Sequence, residues 1–375
     1  RLDQKYFNYS TGFTMTNKKF HNLFGSPPRK EDEELTQFYM DIASSIQAVT
    51  EEMVLRICRY GLKKYKIRNL CLAGGVALNC VANGKILKEG IFENVWVQPA
   101  AGDAGGALGS AQALWYTEFK NDRKVKKDDS MRGAYLGPSY SNEEVESDLK
   151  SLGAFYNKLS DEKIIEKTAQ AISEGKAIGW FQGKMEFGPR ALGGRSILGD
   201  PRSEKTQKQL NLKVKFRESF RPFAPSVLRE HLESWFDLDC DSPYMLLVSE
   251  VNKNKQTETP EYKRLFGLEQ LNTIRSAIPA VTHVDYSARI QTVHKETNPR
   301  YHQLIEEFLR ITECPVIVNT SFNVRGEPIV MSPIDAFKCF MGTDLDVLVI
   351  ENFYLEKKDQ NPKLFKSYLN KYELD

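Results

Sequence analysis

Residues 69–79, Asn69-Leu70-Cys71-Leu72-Ala73-Gly74-Gly75-Val76-Ala77-Leu78-Asn79, decide how this chain reads. The apolar run 69–73 is too short for a helix and opens directly into a Gly-Gly turn. A helix is predicted from there to Lys88, with Gly90 just past its end. The unit then recurs in kind. Val95-Trp96-Val97 reads as a strand, residues 101–106 (AGDAGG) as a tight turn, and Ala107 to Tyr116 as a helix. Strand, helix, strand in this order implies a right-handed βαβ crossover with parallel strands. Both glycine-rich turns then lie at the carboxyl edge of one sheet, where α/β folds bind ligands. Glycines there let backbone N–H groups approach a phosphate, and the helix N-terminus behind them favours negative charge. The glycines, Gly74 and Gly75 among them, are thus candidate ligand contacts, with ordinary turn chemistry as the plain alternative. Asp103 is the odd residue, readable as a metal ligand, a hydroxyl acceptor or a helix N-cap.

Upstream, residues 1–30 are aromatic and turn-rich. Ile42, Ile46, Val49, Met53, Ile57 and Tyr60 recur at spacings of three and four, which predicts a long helix whose apolar stripe packs in a core. Downstream, Lys120 to Asp129 (KNDRKVKKDD) is charged and without apolar period, so it reads as an exposed linker. The expected organisation is a first domain over 1–120, a linker over 121–132 and a second domain over 133–375.

In the second domain, helices are predicted at 142–151, 161–174 and 301–311, and another from Pro333 with Ser332 as its cap. Strands are predicted at 177–181, 245–251, 279–283, 316–318 and 347–350. Mixing without strict alternation argues for an α+β or open α/β sheet.

Between the first two of those strands lies a basic stretch, Lys184 to Arg229. It holds eleven Lys and Arg against four Asp and Glu, about +7, whereas the whole chain is +2. Its cations sit among Gly188-Pro189, Gly193-Gly194 and Gly199-Asp200-Pro201, a punctuation that solvated basic tails lack. Arg190, Arg195 and Arg202 therefore look aimed at phosphate or carboxylate oxygens. A basic loop with surface ion pairs, or a nucleic-acid footprint, is the alternative. Two further clusters are polar. His283 to Thr292 places Asp285, Ser287, Arg289 and Gln291 on one face if extended, which also suits the solvated side of an edge strand. Asn319, Ser321 and Asn323 follow an apolar strand and suit either turns or a phosphate or urea-like group.

Composition is that of an ordinary globular protein, 41% hydrophobic and 27% charged, with no apolar run long enough to span a bilayer. Six cysteines without a CxxC pair fit reduced thiols and a cytoplasmic setting. Five histidines, none paired at a ligand spacing, argue against a metal site built within this chain.

Taken in order, GGVALN, PAAGDAGGALGSA, EFGPRALGGRSILGDPR, KFRESFRPFAPSV, HVDYSARIQTV and NTSFNVRGEPIV resemble the NodU/CmcH/TobZ carbamoyltransferases over nearly the whole chain. The resemblance implies an α/β protein. Its expected parts are the C-terminal half of an ASKHA-like (actin/sugar kinase-like) domain and a YrdC-like open twisted sheet domain. It implies a two-step reaction in which carbamoyl phosphate and ATP, with its Mg2+, give carbamoyl adenylate and pyrophosphate. The carbamoyl group then passes to a small-molecule hydroxyl acceptor. Lys184, Arg190, Arg195 and Arg221 would be catalytic. Lys215, Arg217, Asp285, Arg289, Asn319, Ser321 and Asn323 would hold substrate, and Gly74, Gly75 and Asn79 the adenylate.

The family also carries, upstream of the matching part, an HxxxH pair that binds a divalent metal such as Fe2+ together with the aspartate matching Asp103. No HxxxH occurs here, and the first residue is Arg1 rather than Met. The expectation is that the N-terminal half was lost, or is supplied by another chain or a homodimer partner. Two rivals remain beside this reading. One is a threonylcarbamoyl-adenylate enzyme of tRNA modification, which uses the same two folds. The other is a non-catalytic nucleotide- or nucleic-acid-binding protein with Phe216, Phe220 and Phe223 as stacking platforms.

Overall fold

In a computed structural model, the structure describes residues 2–30, 33–125, 129–218, 221–257, 264–265, 267–366 and 368. The chain divides into two compact units, Arg1–Arg56 and Ile57–Asp375.

In the first unit, α1 (Lys18–Phe24) is started by the Asn17 side chain, which accepts from the Lys19 and Phe20 amides, and is stopped by Gly25 at φ +80°. Helix α2 (Gln37–Tyr65) follows and runs past Arg56 into the second unit, longer than the apolar period alone indicated. Its stripe does not pack as expected. Ile46, Val49, Met53, Ile57 and Tyr60 are 40–67% exposed, so the period correctly gave a helix and wrongly gave a core. Periodicity reports that a face is apolar, and what covers that face is a separate question.

In the second unit, β1 (Asn69–Leu72), α3 (Cys80–Lys88) and β2 (Asn94–Val97) form the expected βαβ, with β1 and β2 parallel and Leu72 opposite Val97. Helix α4 starts at Asp103 (Asp103–Ala113), four residues earlier than predicted, and runs into a π-turn over Leu114–Glu118. Residues 121–125 carry neither helix nor strand, and 126–128 of the expected linker lie outside the described residues.

The rest of the unit is built from α5 (Asn142–Ser151), β3 (Asn157–Lys158), α6 (Asp161–Ser173), β4 (Ile178–Phe181), β5 (Arg195–Gly199), α7 (Glu204–Gln209), β6 (Ala224–Leu228) and α8 (Leu232–Trp235). It continues through β7 (Leu247–Glu250), β8 (Ser287–Val293), α9 (Pro299–Thr312), β9 (Val316–Ser321), α10 (Pro333–Gly342), β10 (Val347–Ile350) and β11 (Phe353–Glu356). Nine strands make one mixed sheet in the order β3-β11-β10-β4-β5-β9-β6-β8-β7. Its centre is apolar on both faces: Ile178, Trp180, Phe181, Ile197, Leu198, Ile317 and Val318 are fully buried, as are Ile305 and Phe308 of α9. Ser332 caps α10 reciprocally with Asp335, and Pro333 takes the first helical position, as predicted.

Three sequence readings fail here for physical reasons. Pro279–Val281 is a 3-10 turn, because Pro279 lacks the N–H that a ladder needs. The basic stretch holds β5 and β6, whose residues are all buried, so much of it is core rather than loop. β8 is also no solvated edge, since it lies between β6 and β7.

A second, smaller core joins the βαβ to the large sheet. Ala77, Val97 and Ala101 pack with Leu192, Ala224, Tyr244, Met245 and Leu246. Buried Asn83 of α3 donates to Ala77 O at 2.8 Å and to Leu246 O at 3.1 Å. Gly84 sits so close that a Cβ would fall 2.3 Å from Val248 O. Val248 is the register partner of Arg289 across β7 and β8. The contact that seats α3 is therefore made by the strand pair that carries a candidate site residue.

Candidate functional site

The two glycine-rich turns meet, as the βαβ reading required. Gly74, at φ +97°, donates its amide to Ala101 O at 2.8 Å, and Gly75–Leu78 forms a 3-10 turn. Asn79 caps α3, its side chain accepting from the Ala82 amide at 3.1 Å. The first turn of α3 thus presents its positive end at the carboxyl edge of β1 and β2.

Two arginines from the large sheet reach this end. Arg190 follows Gly188-Pro189, where Gly188 at φ +141° passes so near Pro99 O that a Cβ would lie 2.9 Å away. Its guanidinium donates to Leu78 O at 3.4 Å, while its buried Nε has no partner. Arg289, on β8, lies against the Cys80 thiol at the start of α3 and feels the charge of Arg190. Burial first, and then the neighbouring Arg190, pull Arg289 down to about 10. Burial also lowers Arg190.

The cationic region continues. Arg217 donates from Nε to Asn211 Oδ1 at 2.7 Å and lies 5.1 Å from the Phe223 ring centre. Burial first, and then Arg221, Arg289 and Arg325, lower it to about 10, with Glu218 opposing them. Glu218 pairs with Arg221 at 3.1 Å and Arg325 at 3.6 Å. Arg217, Arg221 and Arg325 thus share the Glu218 carboxylate, and Arg289 stands between them and Arg190. Lys215 sits one step further in, 3% exposed. Its ammonium donates to Ser321 O, to Ser321 Oγ at 3.1 Å, to Asn323 O at 2.9 Å and to Asn323 Oδ1 at 2.8 Å. Burial, then Arg217, pull it down to about 7. Ser321 donates to Asn323 Oδ1 at 2.6 Å, and Asn323 donates to Glu327 O at 2.6 Å. The turn after β9 is therefore rigid.

The structure brings together Asn79, Arg190, Arg217, Arg221 and Arg289 with Lys215, Ser321 and Asn323, and sets the other candidates elsewhere. Arg195 is fully buried and stacks 3.5 Å from the Phe181 ring centre. It donates to Gln182 O, Gly183 O, Gly194 O and Pro138 O at 2.9–3.2 Å. Those contacts give it a scaffold task in place of the expected ligand clamp. Arg202 folds back on Asp200 at 2.6 Å. Lys184 is exposed and opens on a different cavity of about 1130 Å3, shared with Arg132, Arg300 and Glu351. Asn319 is buried, donating to Ala191 O, Ser226 Oγ and Gln291 Oε1, and so lies beneath the site. Asp285 accepts from the Ser287 amide and hydroxyl, at 3.1 and 2.6 Å, and lines a cavity of about 640 Å3 with Lys85 and Lys88. His283 beside it is lowered to about 4 by burial against the pull of Asp285.

Asp103 is exposed at the first position of α4, after Gly102. Among the described residues no three His, Cys, Asp or Glu side chains converge, so these residues do not by themselves fit a metal ion. The stacking platforms of the nucleic-acid alternative fail as well. Phe223 is buried, Phe216 packs on the main core, and Phe220 lies outside the described residues. Arg325 and Cys80 were missed. The arginine stood in plain view inside NTSFNVRGEP, where the amides and hydroxyls drew the reading. Cys80 carries no signal at sequence level, since only the βαβ packing brings it to β8.

Residues 1–112 match the family described as Carbamoyltransferase N-terminus, and residues 169–357 the family described as Carbamoyltransferase C-terminus. Uncharacterized protein sll1178 of Synechocystis sp. is 57% identical over 379 residues, covering 100% of this chain and 62% of that protein. Nodulation protein NolO of Bradyrhizobium diazoefficiens is 39% identical over 334 residues, covering 88% of this chain and 57% of NolO. Nodulation protein U of Rhizobium tropici is 31% identical over 289 residues, covering 76% and 44%. The chain thus matches 44–62% of the length of these relatives. With both halves of the family pattern matched, in order, around the same cationic site, the chain belongs to the carbamoyltransferase family.

Proposed function

We propose that this chain carries the activating step of an ATP-dependent O-carbamoyl transfer. Water takes the phosphoryl group from carbamoyl phosphate, leaving carbamate. A carbamate oxygen attacks the α-phosphorus of ATP, supplied with its Mg2+, and the bond to the β-phosphate breaks. Carbamoyl adenylate and pyrophosphate result. A hydroxyl of a sugar-like or natural-product acceptor then attacks the carbonyl carbon, and AMP leaves.

The observation that carries this reading is the pair Arg190 and Arg289 beside the start of α3, with Arg217, Arg221 and Arg325 continuing the cationic region from Arg289. Two phosphate-rich substrates repel each other in one pocket unless fixed cations neutralise them. Positioning and charge stabilisation supply most of phosphoryl-transfer catalysis. Arg190 and Arg289 neutralise the polyphosphate, with Arg217, Arg221 and Arg325 extending the field. Lys215 holds Ser321 and Asn323 toward the carbamoyl or nucleotide end, and Gly74, Gly75 and Asn79 receive the adenylate. The ASKHA-like and YrdC-like assignment of the two halves belongs to this same reading. A divalent metal in the first half would need ligands beyond these residues, and no step here runs through one. No helix among the described residues is long and apolar enough to cross a membrane.

The test is pyrophosphate release from ATP without acceptor. Release that requires carbamoyl phosphate supports the reading. Release that instead requires bicarbonate and threonine replaces it with the threonylcarbamoyl alternative, and no release under either condition removes the adenylation site.

A further inference from the structure

The segment that delivers Arg190 is held in an unusual way. Residues 191–194 lie outside the ladders of the sheet, yet their backbone polar groups are taken up by side chains from several elements. Ala191 O accepts from Asn319 at 3.2 Å, and Leu192 O accepts from Tyr135 at 2.6 Å and Gln291 at 2.8 Å. Gly193 O accepts from Trp180 Nε1 at 3.0 Å, and the Gly193 amide donates to Ser196 Oγ at 3.0 Å. Three further amides converge on one atom. Glu186 Oε1 accepts from Leu192 at 2.6 Å, Gly194 at 2.7 Å and Arg195 at 3.3 Å.

Glu186 is 6% exposed and is itself fixed from outside the loop. It bridges Tyr135 as an isolated antiparallel pair, and Phe187 N donates to Ala134 O at 2.7 Å. A buried carboxylate needs donors to replace its water; here three amides take Oε1 and the Arg195 charge lies nearby, while Oε2 is buried without a partner. The fit leaves no slack, since a Cβ on Gly194 would lie 3.2 Å from the carboxyl group.

We propose that Glu186 is a positioning residue for the polyphosphate site. Its carboxylate draws 192–195 into a tight backbone nest, and that nest sets where Arg190, two residues before it, stands relative to Arg289 and the start of α3. The charge matters as well as the shape. Three amide dipoles pointing at one oxygen hold a carboxylate far more firmly than a neutral amide oxygen. Glu186 does not itself face the ligand. This inference rests on the reading of the arginine cluster as a polyphosphate site.

The probe is inorganic pyrophosphate, with and without Mg2+, titrated calorimetrically into the full chain and three variants: Glu186→Gln, Arg190→Ala and the double variant. Wild type should bind. Glu186→Gln should weaken binding about tenfold, and in the Arg190→Ala background the same change should have no further effect, because the residue it positions is gone. A loss that persists undiminished in that background would show general damage and overturn the proposal, as would unchanged binding in Glu186→Gln. Wild type that binds no pyrophosphate would overturn the cluster reading itself, and the proposal with it. Should Glu186→Gln fail to fold, Trp180→Phe removes the donor to Gly193 O, along with part of a buried ring. It should give a smaller loss, about threefold, that likewise vanishes in the Arg190→Ala background, and a loss retained there would count against the proposal.

Discussion

Replacing Arg289 by Met should make this protein more stable and less able to bind polyphosphate. Arg289 is pulled down to about 10 by burial and by Arg190, and its polar neighbour on α3 is a thiol. A drop of that size corresponds to roughly 3 kcal/mol of unfavourable charging at neutral pH. Solvent still reaches the partly buried side chain and screens part of this, leaving about 1–2 kcal/mol. Methionine keeps the apolar stem and removes the charge, so unfolding should shift upward by roughly 2–4 °C for a unit of this size. The lost charge-assisted contact should weaken pyrophosphate binding by roughly 1.5–3 kcal/mol, or about ten- to a hundredfold. Scanning calorimetry at pH 7.5, with and without pyrophosphate, reads both effects. The ligand should raise the melting temperature of wild type much more than that of the variant. An Arg289→Met protein that melts lower than wild type would refute the reasoning, because it would show the guanidinium to be a structural tie.

Arg195→Met should do the opposite. Four carbonyls lose their donor, so stability measured by urea unfolding should fall by about 3 kcal/mol or more. Lys215 titrates near 7 in the folded chain and near 10.5 when unfolded, so between those values the unfolded chain binds more protons and stability rises with pH. Below 7 both states are protonated and the deficit is at its full size. Urea midpoints from pH 6 to 9 should show the rise, and Lys215→Met should flatten it. Gly84→Ala should separate α3 from β7, lowering stability by about 1–3 kcal/mol. Because Val248 pairs with Arg289, it should also weaken pyrophosphate binding, and a variant that melts lower but binds normally would detach α3 from the site.

The change of period at 69–79 was enough to give the βαβ, because a short apolar run, a Gly-Gly turn and a following helix leave few other topologies. Ser332-Pro333 gave the start of α10 in the same local way. The large sheet was harder to read. β5 and β6 lie inside the most basic stretch, where Arg195 and Ser196 look polar in sequence and are fully buried in fact. Charge density in a sequence window says how many cations are present. It does not say which of them find carbonyls of their own chain. The α2 stripe shows the same limit from the apolar side, since its spacing fixed the helix and left its cover unspecified.

Arg190 and Arg195 make the distinction concrete. Both lie in one glycine-rich motif, five residues apart, and both are guanidiniums. Arg195 closes its charge on four carbonyls and an aromatic face, so it gains almost all its partners from the fold. Arg190 makes one long contact beside a second cation that it repels, and the buried Nε lacks a partner in both arginines. A fold does not retain that arrangement for its own stability, because a buried cation short of acceptors is unfavourable. The surrounding structure has to hold it: the Glu186 nest on one side, and the Asn83 and Gly84 contacts of α3 on the other. In the proposed site, Arg190 is thus set apart from Arg195 by being underpaired in a well-paired frame, and that difference exists only once the chain has folded.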